Sequence, residues 1–197
     1  MKYTKKILFA TAFSMVAACS FAQHVELGLK DGLNISNLNR KNFDYSPKVG
    51  AHAGLLAHIH LTKTWAIQPE LVYSMEGASY DGASNIEHKA NADFINIPVL
   101  VQYMTGSGFR LQTGPQIGFL VSAKDVVKNG NTVNVKENFA PVNFSWAIGG
   151  GYLTDFGLGF DARLNLGLND INDITGGRKI HGNVVQLGIF YQFMHRK

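Results

Sequence analysis

Residues 65–76 read WAIQPELVYSME, and large apolar side chains alternate in this stretch with small, polar or charged ones. The period is two, the spacing at which the side chains of a β-strand point to opposite faces. The apolar set is Trp65, Ile67, Pro69, Leu71, Tyr73 and Met75, and the other set is Ala66, Gln68, Glu70, Val72, Ser74 and Glu76. The stretch is therefore predicted to be a strand with one apolar and one mainly polar face.

The same alternation recurs along the rest of the chain, which has no run of 18 apolar residues. Seven further strands are predicted around residues 25–35, 49–61, 95–103, 109–122, 142–152, 158–166 and 185–193. Strands of about 9–11 residues cross a bilayer when they tilt near 45°. Low charge, 16% against the usual share of about 25%, and frequent glycine suit a membrane wall built from alternate residues.

The connections between these strands alternate in length. Short ones lie at 62–64, 104–108 and 153–156, and long ones rich in Asn, Gly, Asp and Lys lie around 37–46, 81–92, 123–140 and 169–181. Alternating short turns and long loops are typical of outer-membrane barrels, with the short turns in the periplasm. The prediction is an all-β fold: an eight-stranded antiparallel up-and-down transmembrane β-barrel that occupies residues 23–197 as one domain.

Aromatic residues concentrate at the predicted strand ends, as expected for belts at the two membrane–water boundaries. The periplasmic belt is predicted to contain Trp65, Tyr103, Phe109, Tyr152, Phe156, Tyr191 and Phe193. The outer belt is predicted to contain Tyr73, Tyr80, Phe94, Phe119, Phe139 and Phe144. A soluble or lipid-anchored carrier of lipocalin type also alternates, but its water-facing set should carry many Lys and Glu, whereas this polar set is mostly Gly, Asn, Gln and Ser.

The first 22 residues are predicted to be a secretory signal peptide. Lysines at positions 2, 5 and 6 precede an uncharged, mostly apolar run at 7–18, and Ser20-Phe21-Ala22 offers a cleavage site before Gln23. The alternative is a lipoprotein signal, in which Cys19 becomes lipidated. Removal of the signal lowers the formal charge from +4 to +1, so the charge gives no reason to expect a nucleic-acid partner.

Several motifs, in their order along the chain, resemble the outer-membrane β-barrel family of the Bacteroidetes that is often labelled PorT-like or porin family. The motifs are Gly28-x-Lys30-x-Gly32-x-Asn34-x-Ser36, Pro69-Glu70-Leu71-x-Tyr73-Ser74, Ile95-Asn96-Ile97-Pro98-Val99-Leu100, Gly114-Pro115-Gln116-x-Gly118-Phe119-Leu120, Asp161-Ala162-Arg163-Leu164-Asn165-x-Gly167-Leu168 and Gln186-Leu187-Gly188-x-x-Tyr191-Gln192-Phe193. The resemblance implies an outer-membrane barrel that contacts membrane lipid and the barrel-assembly machinery, with no shared enzymatic activity. One departure is that four residues follow Phe193, where such barrels commonly end on an aromatic residue.

The predicted inward face carries four acids and three bases. They are Glu26, Lys30, Glu70, Glu76, Arg110, Asp161 and Arg163. Buried ions must be paired or hydrated, so we expect a salt-bridged polar interior with Glu70 and either Arg110 or Arg163 at its centre. The alternative is a narrow ion path, although an eight-stranded barrel has little room beyond its own side chains.

Histidine and serine residues are the candidates for metal binding and catalysis. His52, His58 and His60 share one face of the second strand, but no third ligand at a matching spacing accompanies the pair His58 and His60. Ser74 with Glu76 is a candidate for a lipid-modifying enzyme, but His58 and His60 lie at the opposite end of their strand. The sequence therefore predicts no cofactor, no metal and no catalysis. It favours a monomeric barrel whose long loops, first of all 123–140, bind a partner that the sequence does not identify.

Overall fold

The computed structural model describes residues 25–39, 46–81, 87–127, 132–170 and 181–193. The expected signal peptide and the residues after Phe193 lie outside these ranges. The described residues form nine strands and one 3-10 helix at Lys136–Asn138. The strands are β1 Val25–Asn39, β2 Ser46–His60, β3 Trp65–Asp81, β4 Glu87–Met104, β5 Phe109–Val127, β6 Thr132–Asn134, β7 Val142–Leu153, β8 Leu158–Gly167 and β9 His181–Gln192. No helix of these ranges has the length and hydropathy needed to cross a membrane.

Eight of these strands close into an antiparallel barrel. Each strand pairs with its neighbour along the chain, except that β5 is followed in the wall by β7, and the pairing of β1 with β9 closes the ring. The three-residue strand β6 pairs only with β5 and lies beside the wall. The predicted fold, an eight-stranded up-and-down barrel, is confirmed.

Two of the predicted long loops were wrong in extent. The segment 81–92 contains the first six residues of β4, and the segment 123–140 contains the end of β5, β6 and the 3-10 helix. Their polar composition was typical of loops, but β4 and β5 stay paired as far as His88 and Val127. Beyond the membrane both faces of a hairpin meet water, so polar residues there do not end a strand. Of the other two loops, 40–45 and 171–180 lie outside the described residues.

The wall has its apolar face outside and its polar face inside. On β1, Leu27 is 61% exposed whereas Lys30 is 4% exposed, and the same parity holds around the barrel. A soluble carrier would place these two sets the other way round. The arrangement buries amide and charged side chains in the lumen and presents a continuous apolar surface that suits lipid.

Two periplasmic turns have the same hydrogen-bonding pattern and backbone geometry. In Thr105–Gly108 and in Thr154–Gly157, the backbone N–H of the closing glycine donates to the carbonyl oxygen of the opening threonine. Gly108 and Gly157 adopt φ of 92° and 94°, in the left-handed region where a side chain is strained. These glycines let β4 turn into β5 and β7 turn into β8 within a few residues.

Candidate functional site

Glu70 lies at the centre of the lumen, where its side chain has no exposed surface. The guanidinium of Arg163 binds both carboxylate oxygens, with Nη1 donating to Oε2 at 3.0 Å and Nη2 donating to Oε1 at 2.8 Å. Lys30 Nζ donates to Oε2 at 3.3 Å and Gln68 Nε2 to Oε1 at 2.8 Å. Of the two partners that the sequence left open, Arg163 binds Glu70 and Arg110 does not.

Asp161 completes the cluster from the same strand as Arg163. Its Oδ2 accepts from Lys30 Nζ at 3.1 Å and from Arg163 Nη2 at 3.3 Å. We call Lys30, Glu70, Asp161 and Arg163 the central ion cluster. It has two positive and two negative charges contributed by β1, β3 and β8, so it ties widely separated parts of the wall together. Charges at this depth are tolerated because each has an opposite partner and further hydrogen bonds.

The other charged residues predicted for the interior lie outside the central ion cluster. Arg110 Nη2 donates to Gln192 Oε1 at 3.1 Å, and the guanidinium lies 5.1 Å from the centroid of the Phe190 ring. Glu76 Oε1 accepts from Ser74 Oγ at 2.8 Å and from Asn96 at 3.1 Å. Glu26 lies near the periplasmic end, where its carboxylate is 3.9 Å from His60 Nε2.

An amide network above the central ion cluster was not anticipated from the sequence. Asn34 is fully buried, and its Nδ2 donates to Ser74 Oγ at 2.9 Å. Its Oδ1 accepts from Gln186 Nε2 at 3.0 Å and lies 2.8 Å from His52 Nδ1. The alternation along β1 predicts that Asn34 faces inward. Its contacts with β2, β3 and β9, however, depend on the register of four strands, which a single sequence does not reveal.

Apolar side chains of β4, β5 and the segment after β6 pack together at the outer end of the lumen. Ala92, Phe94, Leu120 and Ala123 form a buried cluster, and Val135 and Phe139 from the segment after β6 pack against it. We call these six residues the outer plug. Phe94 and Phe139 were assigned to the outer aromatic belt, and that assignment is wrong. Phe94 shares the parity of Asn96, which faces the lumen, and Phe139 folds over the barrel mouth just after the 3-10 helix.

A histidine lies closer to Ser74 than the sequence predicted. His58 and His60 are at the other end of β2, but His52 of the same strand pairs directly with Ser74 of β3. No Ser74–His52 hydrogen bond forms, since Ser74 Oγ donates to Glu76 and His52 Nδ1 contacts Asn34. Ser74 is also fully buried in the lumen, so its hydroxyl is not exposed to lipid.

The histidines near the periplasmic end do not form a metal centre with other described residues. The rings of His58 and His60 stack edge to face at 4.6 Å, and His58 Nδ1 lies 3.2 Å from Gln68 Oε1. Within the ranges that the structure describes, no three His, Cys, Asp or Glu side chains come together in a metal-binding geometry.

Six of the seven aromatic residues assigned to the periplasmic belt lie on the outer surface in pairs, and the seventh, Phe156, is 66% exposed. Trp65 packs against Tyr103, Phe109 against Tyr152 and Tyr191 against Phe193, each edge to face with ring centroids 5.1–5.4 Å apart. All six are 38–62% exposed. Towards the other end, Tyr73, Phe119 and Phe144 are also exposed. The Trp and Tyr rings, each with one apolar and one polar end, suit the boundary between lipid and water.

This geometry agrees with a family comparison. Residues 21–173 match the model of the family described as "Outer membrane protein beta-barrel domain". The chain belongs to this family. Membership accounts for the apolar outer wall and the polar lumen, and it places the protein in the outer membrane. No curated protein matches the chain in sequence.

Solved structures share the fold of this family member at low sequence identity. Neisserial surface protein A has a TM-score of 0.59 at 10% identity, and Ail, the attachment invasion locus protein of Yersinia pestis, has a TM-score of 0.55 at 11% identity. Each match covers 87% of this chain and 100% of the other chain. Identities this low show only that the chains share the barrel fold.

Proposed function

We propose that this protein is a closed, non-conducting barrel that anchors a surface projection in the outer membrane. The observation that carries the proposal is that two barriers lie in series along the lumen. The central ion cluster fills the middle with paired charges, and the outer plug covers the end. A continuous water path would have to cross both, and an eight-stranded barrel leaves little free space.

The projection is built from the ends of β4 and β5 together with β6. Asp125 Oδ2 accepts from Tyr80 Oη at 2.9 Å and lies 3.0 Å from His88 Nδ1, and the rings of Tyr80 and His88 stack at 5.1 Å. These contacts join β3, β4 and β5 beyond the lumen. A projection held in this way is a suitable platform for a binding partner outside the cell.

Export supports the same proposal. We infer that residues 1–22 are removed as a signal peptide, that the mature chain is a monomer, and that it is a barrel of the Bacteroidetes PorT-like or porin-family type. Mass spectrometry of the purified protein tests the first point. A mature chain that starts at Gln23 supports cleavage after Ala22, and an acylated chain that starts at Cys19 contradicts it.

Planar-bilayer recording tests the closed lumen. The refolded wild-type barrel should insert without producing discrete conductance steps at 1 M KCl, while a known porin in the same bilayer produces them. A matched pair of variants sharpens the test. Phe94→Ala with Leu120→Ala removes the outer plug, and Phe109→Ala with Leu111→Ala removes two lipid-facing side chains. Regular unitary steps from wild type would overturn the proposal.

Catalysis is not part of this proposal. The buried position of Ser74 supports that choice, because a lipid substrate cannot reach its hydroxyl through the wall. Membranes that contain Ser74→Ala should release the same products from labelled lipid A as membranes that contain wild type. A wild-type hydrolysis activity that Ser74→Ala abolishes, with the barrel still folded, would show that the protein is an enzyme.

A further inference from the structure

The outer face of β1 carries a carboxylate within the apolar surface. Asp31 is exposed, and its neighbours on that face of β1 are Leu29 and Leu33, both at least 50% exposed. Leu29 pairs with Tyr191 of the periplasmic belt, and Asp31 lies two residues further towards the outer end. Two residues of a tilted strand rise roughly 5 Å, so the carboxylate lies inside the hydrocarbon layer rather than at its edge.

A groove of about 850 Å³ opens on the wall at Asp31. Asp31 pairs with Ala53 on one side and with Ile189 on the other, and the short side chains of Ala51 and Ala53 leave the surface concave. The remainder of the groove is lined by Leu33, Tyr73, Met75, Phe160, Leu187 and Ile189, together with Gly32, Gly188 and two residues of the lumen network, His52 and Asp161. Its volume lies within the range of about 300–1,000 Å³ that is usual for small-molecule sites.

The described part of the chain supplies no partner for this carboxylate. Among the described residues, no hydrogen bond or ion pair reaches the Asp31 side chain. Between the two aromatic belts, the described basic residues are Lys30, Arg110 and Arg163, and all three are buried in the lumen. A second copy packed on this face would therefore bring apolar side chains or another Asp31, but no cation.

An ionisable group that faces lipid without a partner is costly, and such groups mark binding sites or ion paths in membrane proteins. A carboxylate in a mainly apolar groove complements a ligand with one positive charge and an apolar body. A concave recess of this size holds one alkyl chain with its head group. A protein partner would need a broader contact, since stable interfaces bury upwards of about 1,000 Å².

We propose that this groove binds a lipophilic amine, with the ammonium group on Asp31 and the alkyl chain along Ala51, Ala53 and Leu187. The ammonium donates hydrogen bonds to the carboxylate, which removes both charges from contact with hydrocarbon. The ligand enters laterally from the membrane and needs no open lumen. The site is therefore independent of the closed-barrel function proposed above.

Methyl NMR of the protein in phosphatidylcholine nanodiscs tests the proposal, with dodecylammonium as the probe and dodecanol and dodecyl sulfate as chain-matched comparisons. With alanine methyl groups labelled, the signals of Ala51 and Ala53 should shift saturably with dodecylammonium. Asp31→Asn should raise the half-saturating amount at least tenfold. The control Asp155→Asn, the same substitution in an exposed periplasmic turn, should leave it unchanged.

A filling variant separates the charge from the shape. Ala53→Leu occupies the groove and keeps Asp31, so it should abolish the shift of the Ala51 methyl while heat-modifiable gel mobility shows an intact barrel. Equal shifts with dodecanol, or undiminished binding by Asp31→Asn, would overturn the proposal. It would also be overturned if a photo-cross-linker at position 53 in native outer membranes gave a protein adduct or a dimer that depended on Asp31.

Discussion

Glu70 and Asp31 are carboxylates of neighbouring parts of one barrel wall, and their surroundings are opposite. Glu70 faces the lumen and is held by Arg163, Lys30 and Gln68. Asp31 faces outward among apolar side chains, and none of the described residues is its partner. A shift of one position along a strand turns a side chain to the other face. The face of the strand on which a carboxylate lies, rather than its residue type, therefore decides whether it stabilises the barrel or is available to a ligand.

The largest effect is expected at the inner carboxylate. Glu70→Gln removes one negative charge and leaves Lys30 and Arg163 with Asp161 alone, so a buried positive charge lacks compensation. We expect the free energy of unfolding to fall by about 3–5 kcal/mol. Urea titration in detergent, followed by tryptophan fluorescence and gel mobility, measures it.

The control for this prediction is Glu137→Gln, the same substitution on the exposed 3-10 helix, which should change stability by less than about 0.5 kcal/mol. A second variant tests the electrostatic cause. Adding Lys30→Met to Glu70→Gln restores a neutral cluster and should recover part of the loss. A double variant as unstable as the sum of its parts would show that lost packing, rather than unbalanced charge, is responsible.

The outer plug is expected to contribute almost as much, but through apolar contact. Phe94 is 4% exposed and packs inside the barrel, whereas Phe119 on the next strand is 42% exposed to lipid. Phe94→Ala should lower the free energy of unfolding by about 3 kcal/mol, since a buried aromatic side chain leaves a cavity. Phe119→Ala is the matched control and should cost markedly less in the same urea titration. Equal losses would place both rings in equivalent surroundings and contradict the plug.

A smaller effect is expected where the backbone, rather than a charge, is constrained. Gly157 closes a periplasmic turn at φ of 94°, and a Cβ there would lie 2.6 Å from the carbonyl oxygen of Gln192. Gly157→Ala should therefore lower the free energy of unfolding by about 1–3 kcal/mol. Gly106 has open space around its Cβ position, so Gly106→Ala is the control and should be nearly neutral. Similar losses for both would show that the left-handed backbone at Gly157 is not the cause of its effect.

The sequence predicted the fold because alternation is a local property of each strand. It placed Glu70 and Arg163 on one face for the same reason. It did not predict the register between strands. The pairing of His52 with Ser74 and the contacts of Asn34 both depend on which residues of separate strands lie opposite each other. The prediction for Phe94 was wrong because it rested on the aromatic residue type, whereas the alternation along β4 turns this side chain to the lumen. Asp31 interrupts the apolar set of the first strand, and that interruption was the one local signal of the groove.

The smallest effect on stability is expected at the outer carboxylate, and its sign is opposite to that at Glu70. Asp31→Leu extends the apolar surface, and a carboxylate facing lipid is destabilising, though less so than Arg or Lys. In nanodiscs without amines, the substitution should raise the free energy of unfolding by about 1 kcal/mol. Dodecylammonium should then stabilise wild type but not Asp31→Leu, because a ligand that binds only the folded state adds its binding free energy. A loss of stability in Asp31→Leu without any ligand would show that the carboxylate has a structural partner, and the contrast with Glu70 would disappear.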